Sequence, residues 1–116
     1  MAITTQWVFT ASMDVDPDKE ALFNEVYDRE HAPLLARVPG VISVTRLKLD
    51  TLRVTIGGET RTIESQAPRY AAIFELESPD VLTSAAWAKA VDQGRWPTQV
   101  RPHTRNRQHT LHQVVK

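Results

Sequence analysis

Three polar side chains in one helical stretch have a spacing that could support proton transfer. Residues 27–41 read YDREHAPLLARVPGV and hold one histidine, His31, in an otherwise amphipathic run. Tyr27 and Asn24 precede His31 by four and seven residues, so a helix projects all three from nearly one face. Imidazole titrates near neutral pH, and a phenol can stabilise a developing oxyanion. The spacing predicts His31 as the acid–base group, Tyr27 as oxyanion donor and Asn24 as a residue that orients the ring or a ligand.

Each of these side chains also has a purely structural interpretation. His31 could cap backbone groups that Pro33 leaves unpaired, because proline has no N–H and breaks helical geometry. Tyr27 could pack in the core with its hydroxyl at the surface, and Asn24 could be a solvated edge residue. The interpretations differ in one observable. A functional imidazole faces an enclosed cavity, whereas a capping imidazole has both nitrogens bonded to backbone.

Aromatic residues elsewhere in the chain could line a cleft for an apolar, aromatic or polyketide-like molecule. Aromatic side chains serve protein cores as readily as pockets, so the same residues fit a core as well. Trp96 precedes Pro97 and is predicted to cover the mouth of the cleft. The residues predicted to bind substrate are Asn24, Phe9, Phe74, Trp87 and Trp96.

Composition excludes several classes of function. The chain has 116 residues, which predicts a single domain over 1–116 with one modest core. Its 14 basic and 14 acidic residues give zero net charge, which argues against nucleic acid or an anionic membrane as partner. There is no cysteine, no basic, apolar leader and no apolar run of spanning length, so a cytoplasmic protein is expected.

Metal binding is not expected from the histidines. His103, His109 and His112 fall near the end of the chain with spacings of six and three, which puts the last of them on the opposite strand face. No cysteine and no HExxH helix accompany them, so neither a metal nor any other cofactor is predicted.

The elements that must position these side chains follow from periodicity and turn signals. Alternation over 7–13 predicts a strand, and the Asp16–Pro17 pair predicts a helix start. The helix is expected to reach about 29, to break or kink near 30–33 at the proline and to continue as a short turn to 38. Further along, the sequence predicts a strand over 41–56 with a bend or hairpin near 49–51, a Gly57–Gly58 turn, a loop over 59–68, a strand over 69–77, a helix over 80–92, a helical turn over 96–102 and a last strand over 103–115.

This order is β-α-β, a loop, then β-α-β. Antiparallel pairing of two such halves predicts an α+β fold of the ferredoxin-like split βαβ type, with a four-stranded antiparallel sheet and helices on one face. The second sheet face would be uncovered, and an apolar uncovered face on a neutral protein predicts a homodimer with the two sheets stacked.

The motifs resemble a known family. The segments DVDPD, FNEVYDREHAPLL, VPGV, YAAIFELESPDVL and RPHTRNR resemble EthD-like members of the dimeric α+β-barrel superfamily. The resemblance covers about 12–116 except for 51–68. It implies a dimeric α+β barrel whose cleft between helices and sheet binds a small molecule, with His31 lining that cleft. The superfamily it implies includes cyclases, lactone isomerases, cofactor-free monooxygenases and haem proteins.

The leading hypothesis from sequence is a small cofactor-independent enzyme of lyase, isomerase or cyclase type acting on an apolar, aromatic or polyketide-like metabolite. The alternatives are a non-catalytic, dimeric module that binds a small ligand and a cofactor-free monooxygenase. Haem bound through His31 is suggested by the resemblance alone. One fold hosts many chemistries, so the resemblance does not choose among these activities.

Overall fold

A four-stranded antiparallel sheet forms the centre of the computed structural model, which describes residues 3–115. Its strands are β1 (Trp7–Val15), β2 (Val41–Lys48), β5 (Tyr70–Leu76) and β6 (Thr104–Gln113), in the order β2-β5-β1-β6. Between β2 and β5 the chain forms a separate hairpin of β3 (Leu52–Ile56) and β4 (Glu59–Ile63). The predicted ferredoxin-like arrangement is confirmed.

Helical segments cover one face of the sheet. They are a 3₁₀ turn (Pro17–Lys19), α1 (Glu20–Val26), a π-helical turn (Tyr27–His31), α2 (Ala32–Ala36), a 3₁₀ turn (Pro79–Thr83), α3 (Ala85–Ala90), a π-helical turn (Trp96–Val100) and a 3₁₀ turn (Arg101–His103). Within residues 3–115, none of these helices has the length and apolar character needed to cross a bilayer.

The core lies between this helical layer and the two central strands. On β1 and β5 the inward residues pair across the sheet, with Phe9 opposite Phe74 and Met13 opposite Tyr70. Small residues lie between these two pairs and let the helices approach the sheet closely. Phe23 of α1 is completely buried above them.

The helix over 80–92 was predicted as one piece and forms as two. Ser78 caps the 3₁₀ turn as predicted, and its Oγ accepts from the N–H of Asp80 at 3.1 Å. Ser84 then adopts extended backbone and caps α3, accepting from the N–H of Trp87 at 3.1 Å. A serine hydroxyl competes for backbone donors, which is why the second cap interrupts the helix.

The predicted loop over 59–68 is wrong in its first half. Glu59–Ile63 is β4, paired in register with β3, so that Leu52 lies opposite Ile63. Gly57 and Gly58 both have positive φ, 62° and 83°, which is the geometry of a two-residue hairpin turn. The β-branched residues of ETRTI were the missed strand signal.

The second sheet face carries no helix in the described structure. Thr10, Ile73 and Thr45 pair across it on three neighbouring strands. Glu75 on the same face is buried, and its carboxylate accepts from Thr4 N–H at 2.6 Å and Ser43 Oγ at 2.6 Å. These hydrogen bonds lower the pKa of Glu75, Ser43 contributing most.

Candidate functional site

The helix that carries the histidine widens by one residue at the predicted break. The backbone N–H of Ala32 donates to the carbonyl of Tyr27, which makes Tyr27–His31 a π-helical turn. Pro33 explains the widening, because it has no N–H and its ring would clash with the carbonyl of Arg29 in an α-helix. The predicted irregularity takes the form of a wide turn in place of a full break: the helix accommodates proline by widening, and α1 continues through the turn into α2.

The imidazole of His31 is enclosed by aromatic rings. Trp96 stacks on it with 4.0 Å between ring centroids and 12° between planes. Tyr27 approaches edge-on, with centroids 5.0 Å apart. Phe23 contacts both Tyr27 and Trp96, so the four rings form one unit, the His31 cluster. Trp96 is thus buried and packed directly against the imidazole, where it fills the space beside the ring.

One nitrogen of His31 has no hydrogen-bond partner. Nδ1 is buried and unpaired within the described structure, and the residue as a whole is only 5% exposed. Burial, helped by the positive charge of Arg101, lowers the pKa of His31 from 6.5 to about 4. The ring is therefore neutral at pH 7. An unpaired Nδ1 contradicts a histidine that caps the backbone through both nitrogens.

Tyr27 is buried in the same cluster and remains protonated at neutral pH. Burial raises its pKa to about 12, although the nearby Arg46 acts in the opposite direction. No hydrogen bond to its hydroxyl is made by residues 3–115. A protonated phenol beside a neutral imidazole is a hydrogen-bond donor beside a base. This juxtaposition is the one that the four-residue spacing predicts.

Arg46 is the residue of this region that sequence reasoning missed. It projects from β2 toward the helices, and its guanidinium carbon lies 4.6 Å from the centroid of the Tyr27 ring. Nη1 donates to Asp28 at 2.7 Å and Nη2 to the Oδ1 of Asn24 at 2.9 Å. A signal was present in the alternation of VISVTRLK, which places Arg46 on the inward face together with Val44.

The side chain of Asn24 binds this arginine and not the histidine. Its Oδ1 accepts from Arg46, and its Nδ2 donates to the carbonyl of Glu20 at 3.1 Å and to the hydroxyl of Tyr70 at 3.3 Å. The Tyr70 hydroxyl in turn donates to the Glu20 carboxylate. The hydrogen bonds of Asn24 therefore fix Arg46 over Tyr27.

The other predicted lining residues form a second group. Phe9 contacts Phe74 at 5.5 Å and Trp87 at 5.9 Å between centroids, and we call these three rings the Phe9 cluster. His109 of β6 stacks on Phe9, with planes 14° apart. The aromatic residues expected in one cleft thus divide between two clusters, of which only the His31 cluster contains the predicted catalytic pair.

A narrow cleft between α1 and the sheet lies beside Tyr27 but does not border His31. It is lined by residues that include Tyr27, Arg46 and Tyr70, and it has no room for a molecule the size of water. A larger, open groove lies at the base of the β3–β4 hairpin, next to Asp14 and Arg69. Tyr27 and Arg46 border the smaller space, whereas His31 borders neither of the two.

The described part of the chain contains no metal-binding site. Across residues 3–115, no three histidine or carboxylate side chains come together in a way that could hold a metal ion. His103 lies instead near Asp16, 3.5 Å from Nδ1 to the carboxylate, and Arg105 donates to the same carboxylate at 3.0 Å. Asp16 makes no side-chain cap to the helix it was predicted to begin, because these partners occupy it.

Comparison of the fold with solved structures gives clear matches. An EthD family protein from Bacillus halodurans superimposes with a TM-score of 0.61 at 13% identity, covering 95% of this chain and 99% of that one. The chain shares the fold of an EthD family protein. The haem degrader MhuD from Mycobacterium tuberculosis, solved with two haems in its active site, matches the same fold with a TM-score of 0.60 at 15% identity, covering 95% and 96%.

A MhuD mutant with two manganese protoporphyrin IX bound per active site gives a TM-score of 0.56 at 16% identity and covers 95% of each chain. Neither a model of a protein family nor a curated protein matches the sequence. At these identities the likeness establishes the EthD-type fold alone. The roles of individual residues therefore depend on the geometry of the His31 cluster.

Proposed function

We propose that this protein is a small cofactor-independent enzyme that transfers a proton on an aromatic or polyketide-like metabolite, giving lyase, isomerase or cyclase chemistry. The observation that carries the proposal is the unpaired, buried Nδ1 of His31. Leaving a buried polar atom without a partner costs about 1–3 kcal/mol, so a ligand that supplies the partner is favoured. A small enzyme or ligand-binding module is consistent with the EthD-type fold.

The protonation states suit a base and a donor. Burial lowers the pKa of His31 to about 4, so at pH 7 the ring is neutral and has a lone pair that can accept a proton. The same burial makes it a weaker base than free imidazole, which limits its partners to acidic O–H groups or strongly activated C–H groups. Tyr27 retains its proton and can donate a hydrogen bond to the oxygen on which negative charge develops. The surrounding aromatic rings exclude water, which strengthens both interactions.

Trp96 defines the size of the substrate in this proposal. The indole stacks 4.0 Å from His31 and would have to move aside for a ligand to reach the imidazole. Displacing one indole opens a slot for one or two fused aromatic rings. Small planar molecules of that size can take the place of Trp96 against the histidine.

Haem does not fit the residues present. Trp96 covers a face of the His31 ring, and Nδ1 is enclosed. The nearby cleft between α1 and the sheet has no room for a molecule the size of water, and a porphyrin is several times larger than the indole that would leave. No step of the proposed reaction passes through haem, although MhuD binds it.

The proposed enzyme works as a homodimer in the cytoplasm. Ile73 and the threonines beside it leave an uncovered sheet face, which a second copy would bury over an area on the order of 2,000 Å² in total. The cytoplasmic assignment rests on the lack of cysteine and the balanced charge.

The test uses a two-ring ketone with exchangeable α-protons, 2-tetralone, in deuterated buffer. We expect the protein to accelerate hydrogen–deuterium exchange at the carbon atoms beside the carbonyl, and NMR measures the rate. His31→Gln should lower the rate by about 10²–10⁴-fold, because glutamine keeps one hydrogen bond but cannot accept the proton. Tyr27→Phe should also lower it. His103→Gln is the matched control and should exchange at the wild-type rate.

Two outcomes would contradict the proposal. Wild-type exchange by a folded His31→Gln variant would remove His31 from the chemistry. Binding of the ketone with no acceleration by the wild-type protein would favour the alternative of a non-catalytic ligand-binding module.

A further inference from the structure

A cationic group lies over the aromatic rings at the narrow cleft. The guanidinium carbon of Arg46 is 4.6 Å from the centroid of Tyr27, 5.5 Å from that of Phe23 and 5.6 Å from that of Tyr70. Its side chain is 19% exposed, so the charge is mostly withdrawn from water. A partly desolvated cation interacts more strongly with an anion than a fully solvated one does.

The hydrogen bonds of Arg46 leave donors free. A guanidinium has five N–H donors, and only two of them are used within the described structure, toward Asp28 at 2.7 Å and Asn24 at 2.9 Å. Asp28 is the one acidic partner of these two, and its side chain is 61% exposed. Water screens an exposed carboxylate, so Asp28 compensates the positive charge only weakly.

We propose that Arg46 binds the carboxylate of the substrate, which makes the substrate an aromatic acid. This inference rests on the proposed function and adds the class of substrate to it. The planar guanidinium fork matches a carboxylate in bidentate geometry. The Tyr27 ring contacts both Arg46 and His31, so the acid group is held one ring away from the base.

The position of Asn24 supports this role. It holds Arg46 from the helix side and is itself held by Tyr70 and the carbonyl of Glu20. An arginine fixed in this way loses little conformational entropy when an anion binds. The competing explanation is that Arg46 only ties β2 to α1. Such a structural tie would not distinguish a charged ligand from a neutral one of the same shape.

The experiment compares two probes of equal size, 2-naphthoate and 2-naphthamide, by calorimetric titration at pH 7. We expect the wild-type protein to bind the anion at least about tenfold more tightly than the amide, since hydrogen bonds to charged groups are the stronger ones. Arg46→Gln should remove this preference, and Arg46→Lys should keep part of it. Arg105→Gln, which loses an exposed ion pair with Asp16, is the control and should keep the preference in full.

Each outcome decides a separate point. Equal binding of the two probes by the wild-type protein would overturn the role of Arg46 while leaving the aromatic site in place. Binding of neither probe at millimolar concentration would overturn the proposed function as well. If Arg46→Gln does not fold, the wild-type protein decides: the proposal requires affinity for naphthoate, but not for naphthamide, to fall as salt is raised.

Discussion

Arg95 holds the carboxylate of Glu30 with two donors, its backbone N–H at 2.9 Å and its Nε at 2.6 Å. These hydrogen bonds lower the pKa of Glu30, the backbone N–H contributing most. Glu30 belongs to the π-helical turn of His31, and Arg95 immediately precedes Trp96. The pair therefore fastens the segment that covers the histidine to the turn that carries it.

Breaking this pair should loosen the cover over the histidine. In Glu30→Ala we expect tryptophan fluorescence to shift to longer wavelength and acrylamide to quench it more strongly, because Trp96 gains exposure to water. Glu25→Ala is the matched control, since Glu25 makes a single 3.0 Å hydrogen bond to the same arginine. Identical spectra for the wild-type protein and Glu30→Ala would show that stacking alone holds Trp96.

Acidification should destabilise the protein through His31. Its pKa is about 4 in the folded state and about 6.5 unfolded, so between these values only the unfolded chain takes up the proton. The stability is complete above about pH 6.5 and falls by about 3 kcal/mol as the pH approaches 4. Urea unfolding of the wild-type protein and His31→Gln at pH 7 and pH 4 isolates the loss of stability that is due to His31. Equal losses in both proteins would mean that His31 is already protonated in the fold.

Gly40 is the glycine at which any side chain should be most disruptive. Its φ is 94°, in the left-handed region that favours glycine, and an added Cβ would lie 2.4 Å from Cγ2 of Val81. Gly40→Ala should therefore lower the free energy of unfolding by roughly 1–3 kcal/mol in urea titrations. Adding Val81→Ala should recover the steric part of that loss. A double variant no better than the sum of the two single changes would contradict the predicted clash.

The proposed dimer predicts that a single charge introduced on the uncovered sheet face reduces the mass of the protein in solution from that of a dimer to that of a monomer. Ile73 lies at the centre of the uncovered sheet face, paired with Thr10 on one side and Thr45 on the other. Ile73→Arg should convert the dimer into a monomer, because stacking two sheets would bury two unpaired cations. Light scattering after gel filtration gives the mass. Ala88→Arg, on the exposed face of α3, is the control and should remain dimeric.

The four-stranded sheet was predictable because its signals are local. Alternation, turn residues and serine caps each occupy a few neighbouring positions, and the inward faces of β1 and β5 follow directly from them. The β4 strand was missed for a physical reason. Its side chains are all exposed, so it lacks the apolar face by which strands are usually recognised.

The site was predictable only in part. The pairing of Tyr27 with His31 is a property of one helix, and four-residue spacing is sufficient to predict it. The stacking of Trp96 on His31 is a tertiary contact between distant parts of the chain, which no local pattern encodes. Arg46 was overlooked because a charged residue in a strand is ordinarily solvent-facing, whereas this one lies over aromatic rings.

Because of the wide turn at Tyr27–His31, the arrangement of the site depends on the number of residues in this helix. An α-helix advances by about 100° per residue, so deleting one residue such as Asp28 would rotate the two halves of the helix by that angle relative to each other. Phe23, Tyr27 and His31 now all contact the same indole, and after the deletion His31 would no longer share the direction of Phe23 and Tyr27. A related chain could thus exchange several of these aromatic residues and retain the arrangement, yet lose it entirely by being one residue shorter here.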